Sequence, residues 1–438
     1  MLHRRLLISA LTLIAACALL FYDLGADPLH SWDEAVYAES AKEMVQDGDW
    51  LTPHWNHEKF LQKPPLFIWS TALSFKLFGV SETSARAMSA LAGVGCVVLT
   101  LLIVRLFAAE FTAVIAALIL LATPSFYLNA RYAMTDVMLT FFMLLTIYAY
   151  LRTTENTKWW LLVGVSCGLA VMTKGAGAIP LFVGLLIVIA WKDRAAFRRR
   201  DLWLGVGLCL VVAGTWHLTM LVLHGRPFVS DYFSSQVVSR TLRLMDSPEG
   251  QYGAFYYIPI VVLGFFPACL LLPLSIPSWL KERRLPIILP LFAATMLILY
   301  SLASTKHQWY MIPVFPIFAI IAAPLRKQSL PVYLILIAIG ILFSLTNGPS
   351  KQTLAIAELS HRASMDAGPL GFYPGFNYGP EILFYSNRQL CANAPEHSMG
   401  QLAKCSKPEY AIVAKADILP NSTELARSGD FVYCRVSY

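Results

Sequence analysis

Apolar runs of roughly 18 residues or more recur along the chain, each about the length that crosses a bilayer. Hydrocarbon offers the backbone no water, so a run of this kind satisfies its own hydrogen bonds as a helix. Only 14% of the 438 residues are charged, against about 25% in ordinary soluble domains. Mean hydropathy is +0.58. The composition therefore predicts an α-helical polytopic membrane protein and excludes an ordinary soluble globule.

The formal charge of +7 is informative by position, and it is no sign of a nucleic-acid partner. Arg4 and Arg5 precede the run 6–22, which places the N-terminus in the cytoplasm by the positive-inside rule. The run continues past Cys17, which favours a retained anchor over a cleaved signal. Residues 23–85 are mixed and aromatic, and read as a first outer loop whose helices lie on the membrane surface. Further spans are expected at 87–105, 111–128, 133–151, 159–173, 177–191, 202–223, 255–278, 286–303, 309–325 and 330–346, about 11 in all. Arg105, Arg152/Lys158, Lys192–Arg200, Lys281–Arg284 and Arg326/Lys327 then all fall inside. The odd count puts 347–438 outside. Alternation in Tyr410–Ala414 and Phe431–Val436 marks strands of a small C-terminal α/β domain there. The expected division is 1–346, transmembrane, and 347–438, extracytoplasmic. In the latter, Cys391, Cys405 and Cys434 allow one disulfide and one spare thiol.

The same count gathers a second polar set on the outer face: Asp33, Glu34, Lys63, Arg131, Asp136, Lys174, Arg226, Arg240, Arg243, Lys306 and His307. Ionisable groups abutting apolar spans are costly and usually serve a site. Cations arriving from four segments point to an anionic ligand such as a phosphate. In Ser31-Trp-Asp-Glu34, Ser31 and Glu34 fit a helix-start capping box. That leaves Asp33 free at a helix N-terminus, ionised as a general base requires, with Tyr37 one turn on. Two prolines after Lys63 would hold it rigidly. A salt bridge between Arg131 and Asp136 is the plain structural alternative for that pair. His217 and His224 lack metal-ligand spacing, and there is no P-loop or dinucleotide fingerprint.

These elements, in this order, resemble the polyprenyl-phosphate-dependent glycosyltransferases of GT-C type, closest to the bacterial aminoarabinose (lipid A) transferases and the protein mannosyltransferases. The matching text is Asp33-Glu34-Ala-Val-Tyr37, Gly48-Asp49-Trp50, Lys63-Pro64-Pro65 and Leu77-Phe-Gly79-Val-Ser81-Glu82. Arg131-Tyr-Ala-Met-Thr-Asp136, Thr173-Lys174-Gly175 and Lys306-His307-Gln-Trp-Tyr310 complete it. The resemblance covers about residues 20–320. It implies that Asp33 is the catalytic carboxylate, assisted by Asp136, and that Lys63 and Tyr310, with Arg240 or Arg243, approach the carrier phosphate. Glu34, Tyr37, Arg131, Lys174, Lys306 and His307 are further candidates for binding substrate. Gln62 stands where aminoarabinose transferases commonly have Glu before Lys-Pro-Pro, which removes a metal ligand and departs from strict aminoarabinose specificity; no cofactor is required, and a divalent metal is allowed but unsupported.

The expected enzyme sits in the bacterial inner membrane with its site on the periplasmic face. Its partners are a polyprenyl-phosphate sugar donor, a glycolipid acceptor such as lipid A or lipopolysaccharide, and the surrounding membrane lipids. A phosphate leaving group needs cations and no strong acid, so one carboxylate suffices for inverting displacement, whereas glycoside hydrolases use two. A protein O-mannosyltransferase is the alternative within the class. A lipid-linked anion transporter or flippase is the alternative outside it, but transporters place charges at the midplane between repeated halves, and no repeat is evident.

Overall fold

The computed structural model describes residues 2–30, 32–239, 253, 255–282, 285–303, 305–324, 330–345, 351–366, 370–372, 380–388, 390–392, 403–404, 410–414 and 422–436. Arg240 and Arg243 lie outside the described residues, as do Ser31 and Cys405. The chain forms two compact units. The first comprises Met1–Tyr22, Leu61–Phe67 and Ser89–Asn347; the second comprises Asp23–Phe60, Ile68–Met88 and Gly348–Tyr438. The first outer loop thus groups mainly with the C-terminal residues.

Helices dominate: α1 (Leu2–Phe21), α2 (Asp33–Asp47), α3 (Leu66–Phe78), α4 (Glu82–Arg105), α5 (Glu110–Leu121), α6 (Pro124–Ala130), α7 (Thr135–Arg152), α8 (Trp159–Lys174), α9 (Ile179–Lys192) and α10 (Arg200–His224). A π-helical stretch, Val229–Ser239, follows. Next come α11 (Tyr257–Gly264), α12 (Leu272–Glu282), α13 (Ile288–Leu302), a 3-10 segment Gln308–Val314 that runs into α14 (Phe315–Ala322), and α15 (Leu330–Leu345). The last two are α16 (Lys351–Ala363) and α17 (Pro380–Ser386).

Among the described residues, four helices are long and apolar enough to cross a membrane, or six if each of two bent pairs is one span. Five shorter apolar helices of 10–17 residues, Leu7–Phe21, Leu66–Phe78, Ile288–Leu302, Gln308–Ala322 and Leu330–Leu345, stand beside them, and several expected spans are broken. The run 111–128 is α5 and α6, bent by 68° at Pro124, and 255–278 is likewise bent by 95° after Gly264. Proline removes a ladder bond, so hydropathy continues where the helix does not. The expected spans 159–173 and 177–191 join in one helical run, Trp159–Lys192, through a 3-10 turn at Gly175–Ala178. Within it, α8 meets α10 backbone to backbone: a Cβ on Gly164 would collide with the Gly205 carbonyl, and one on Gly205 with the Trp160 carbonyl.

In the second unit, strands β1 (His54–Trp55) and β2 (Glu58–Lys59) form a small antiparallel hairpin. A separate six-stranded sheet contains β3 (Leu370–Phe372), β4 (Leu390–Ala392), β5 (Ala403–Lys404), β6 (Tyr410–Ala414), β7 (Ser422–Ser428) and β8 (Phe431–Val436), in the order β5-β4-β3-β6-β8-β7. The two strands read from alternation, 410–414 and 431–436, are β6 and β8, paired antiparallel from Tyr410↔Arg435 to Ala414↔Phe431. Their inward residues Ala411, Val413, Val432, Cys434 and Val436 pack together. Cys434 is a free buried thiol donating to the Ala411 carbonyl, so it takes no part in a disulfide.

α2 is not a surface helix. Ten of its residues are buried, including Glu34, Glu39, Lys42 and Glu43. It ends at Gly48, whose φ of +73° allows the left-handed cap that returns an N–H to the Met44 carbonyl. Asp49 then accepts the N–H groups of Leu51 and Thr52 at 2.9 and 3.0 Å, which fixes the turn.

Candidate active site

The first unit holds a cavity of about 350 Å³. Its polar lining includes Gln62, Lys63, Lys174, Tyr232, Tyr300 and Tyr310, and its apolar wall includes Leu299 and Leu302. Lys174 closes α8 and Gly175 follows at φ +54°, where a Cβ would collide with the Tyr232 hydroxyl. Glycine there lets the chain turn tightly beside that phenol. The Tyr300 hydroxyl donates to the Gly177 carbonyl at 3.0 Å, which ties α13 to the same turn. On the far side Tyr232 bonds His217 Nε2 at 2.9 Å, and His217 Nδ1 meets the Ala213 carbonyl at 2.7 Å. His217 is therefore a support for Tyr232.

Lys174 Nζ lies 2.5 Å from Asp136 Oδ1, and both side chains are buried, at 9% and 2% exposure. Asp136 sits in the first turn of α7, where the helix dipole favours a carboxylate. Lys174 also stands 4.7 Å from the centre of the Tyr310 ring, a cation–π distance. His307 stacks on Trp309 at 4.6 Å and meets Tyr310 edge-on at 5.1 Å, which braces that ring. Lysines and phenols over an aliphatic wall suit an anionic head group carried on an apolar tail.

The second unit carries Asp33, the first residue of α2 and partly exposed. The residue before it, Trp32, has φ 67° and ψ −126°, a conformation that a β-carbon disfavours and that persists only when its surroundings enforce it. Trp32, the residue before the helix, makes no side-chain cap bond, and the expected cap residue Ser31 lies outside the described residues. Glu34 accepts Arg86 Nε at 2.8 Å and Nη2 at 3.1 Å, with the His30 N–H at 2.7 Å. Burial alone would raise the Glu34 carboxyl, but the Arg86 charge and hydrogen bonds outweigh it and hold the group below its ordinary range. Arg86 also binds the carbonyls of Leu24 at 3.1 Å, Asp27 at 2.7 Å and Pro28 at 2.8 Å.

The expected site residues divide by unit. Lys63, Lys174 and Tyr310 line one cavity, with Asp136 held on Lys174 and His307 on Tyr310. Asp33, Glu34 and Tyr37 belong to the second unit, where Glu34 and Tyr37 are buried. Three of the expected residues also have structural partners. Asp136 pairs with Lys174. Arg131 Nη1 reaches the carbonyls of Leu19, Leu20 and Tyr22 at 3.2, 3.3 and 2.5 Å, closing the end of α1. Lys306 is 2% exposed and donates to the Ala303 carbonyl at 2.6 Å, outside the cavity lining. Sequence reasoning missed Tyr232 and Tyr300, which carry no charge or motif to mark them. It also missed Arg86, although an arginine so near the start of an apolar run was a visible signal. Among the described residues, Glu43, Asp47 and His57 place ligand atoms within 4.8 Å of one another. That group is assembled across a turn and has no sequence spacing to announce it; Glu43 already accepts the His57 N–H at 3.1 Å.

Residues 9–224 match the profile of the dolichyl-phosphate-mannose-protein mannosyltransferase family. An uncharacterized protein of Aquifex aeolicus is 32% identical over 330 residues, covering 73% of this chain and 64% of its own length. The undecaprenyl phosphate-alpha-4-amino-4-deoxy-L-arabinose arabinosyl transferase of Pectobacterium carotovorum is 29% identical over 333 residues, 72% of this chain and 58% of that protein. The chain thus spans about three fifths of these relatives. The crystal structure of ArnT from Cupriavidus metallidurans bound to undecaprenyl phosphate superposes with a TM-score of 0.81 at 20% identity, over 97% of each chain. The Archaeoglobus fulgidus oligosaccharyltransferase gives 0.63 at 13% identity, over 94% of this chain and 69% of its own. The fold is that of a helical, multi-pass GT-C membrane protein. Within that class, the chain is similar in sequence to the aminoarabinose transferases and protein mannosyltransferases.

Proposed function

We propose that the protein transfers a sugar from a polyprenyl-phosphate donor to a glycolipid such as lipid A on the periplasmic side of the bacterial inner membrane. The observation that carries the reading is the cavity in which Lys63, Lys174 and Tyr310 face an aliphatic wall. An undecaprenyl-type donor has that composition, an anionic phosphate on a long apolar chain. Lys63 and Tyr310 approach the phosphate, and Lys174, steadied by Asp136, keeps positive charge beside it.

Asp33 is the base. The acceptor oxygen attacks the anomeric carbon as its proton passes to the Asp33 carboxylate. The bond from that carbon to the phosphate oxygen breaks, and the electron pair leaves on the polyprenyl phosphate. Inversion follows from a single displacement. Cations that stabilise the growing phosphate charge lower the barrier without a general acid. The name of the matching relatives favours aminoarabinose as the sugar. The name of the matching family supports a second reading, mannosyl transfer to a protein. Mass spectrometry of lipid A and of envelope proteins, with and without this chain, decides between them. An added sugar on lipid A that depends on the protein is the expected result. A protein-borne hexose with unmodified lipid A overturns the first reading in favour of the second.

A further inference from the structure

The segment 24–34 leads into Asp33, and side chains of the second unit claim its backbone polar groups. Arg86 takes the carbonyls of Leu24, Asp27 and Pro28, and Glu34 takes the N–H of His30. The N–H between these two anchors, that of Leu29, is bound from the C-terminal residues: it donates to the Tyr385 hydroxyl at 2.7 Å. Tyr385 in turn donates to Glu82 Oε1 at 3.0 Å, near the start of α4.

We propose that Tyr385 is a positioning residue for the transfer reaction, through which α17 of the C-terminal region holds the segment presenting Asp33. The inference rests on the reading of Asp33 as base. Three further observations support it. All seven residues of α17 are buried, so the hydroxyl is held by a packed element. The same helix also grips α2, since Lys42 Nζ donates to the Phe384 carbonyl at 2.9 Å and pairs with Glu39 at 3.1 Å. The His361 ring of α16 packs 4.7 Å from the Tyr385 ring and limits its swing. The unfavourable Trp32 backbone, one residue before Asp33, needs enforcement of this kind. Burial pushes the Tyr385 phenol above its ordinary range, so it stays a donor to Glu82 at working pH.

The test uses the full chain in lipid nanodiscs, with undecaprenyl-phosphate aminoarabinose as donor, lipid A as acceptor, and hydrogen–deuterium exchange read over residues 24–34. Tyr385→Phe removes one hydroxyl and keeps the ring. It is expected to speed exchange in that segment and to lower kcat about 10- to 100-fold, the scale of a small misplacement of a reacting group, with donor KM within about twofold. In the Asp33→Asn background the same change is expected to lower the residual rate no further. Glu82→Gln keeps an acceptor for Tyr385 and should retain the rate, whereas Glu82→Ala should follow Tyr385→Phe. This second pair decides the matter if Tyr385→Phe folds poorly. Unchanged exchange overturns the proposal, as does faster exchange with full kcat, or an equal fold-loss with and without Asp33. Failure of the base reading shows separately, as an Asp33→Asn enzyme with full activity.

Discussion

The two units treat charge in opposite ways. In the first, Lys174 is nearly buried, held by the Asp136 carboxylate and the Tyr310 ring, beside an open cavity that also takes Lys63. In the second, Arg86 is saturated: its Nε, Nη1 and Nη2 bind three carbonyls and both oxygens of Glu34. An arginine that makes five such bonds with its own protein fixes shape and has little left for a ligand. A lysine held by one carboxylate at a cavity wall retains donors for an incoming anion. The pattern of hydrogen bonds therefore separates a cation spent on structure, Arg86, from one with donors to spare, Lys174.

The largest expected effect falls on Asp33. Asp33→Asn should lower the transfer rate about 10²- to 10⁴-fold, the range of general-base catalysis, while the melting temperature stays put. A radiolabelled-donor assay with a parallel melt checks both halves. Next comes the Lys174–Asp136 pair. Lys174→Met should cost about 3–5 kcal/mol of stability by stranding a buried carboxylate, and adding Asp136→Asn should recover most of it. A melt of Lys174→Met at the wild-type temperature would break the comparison, because the pair would then not be buried in effect. Lys63→Ala should raise donor KM about tenfold, equivalent to one lost charge-assisted hydrogen bond, with little change in stability. An unchanged donor KM would remove Lys63 from the phosphate.

The smallest effect sharpens the second unit. Burial, and then the charge of Glu39, push the Glu43 carboxyl up to about 7. The folded state thus prefers Glu43 protonated. Its contribution to stability is fully present below the unfolded value of 4.5 and is lost as pH rises through about 7. Glu43→Gln should flatten that decline, raising the melting temperature by about a few degrees at pH 8 and leaving it unchanged at pH 4. A melt profile between these values reads the sign directly.

Much of this was legible in the residues. Apolarity marked the helices, alternation marked β6 and β8, and the charges flanking α7 and α8 marked the cavity. What the sequence hid was assignment among near neighbours. Asp136 has Arg131 five residues away and Lys174 thirty-eight away, and the distant one is its partner. Glu34 suited a cap by spacing, and nothing in that spacing announced its ion pair with the distant Arg86. Parts of the family-like text also serve the chain more than the chemistry. Gly48-Asp49 makes a turn, and Gly79 with Ser81 ends α3 and starts α4, Ser81 Oγ accepting the Ser84 N–H at 3.2 Å. Hydropathy marked the apolar runs but is blind to the breaks near Pro124 and beyond Gly264.

The glycine contact between α8 and α10 bears on how this protein tolerates change. Only 11% of the apolar window of α10 is buried within the protein. Lipid tails are as apolar as leucine, so no hydrophobic force presses that helix inward; close van der Waals approach must do so. Gly164 and Gly205 are thus the hinge pins of an otherwise lipid-facing rod. Drift along its outer face should be nearly free, while a single added methyl at either pin would unseat the whole rod.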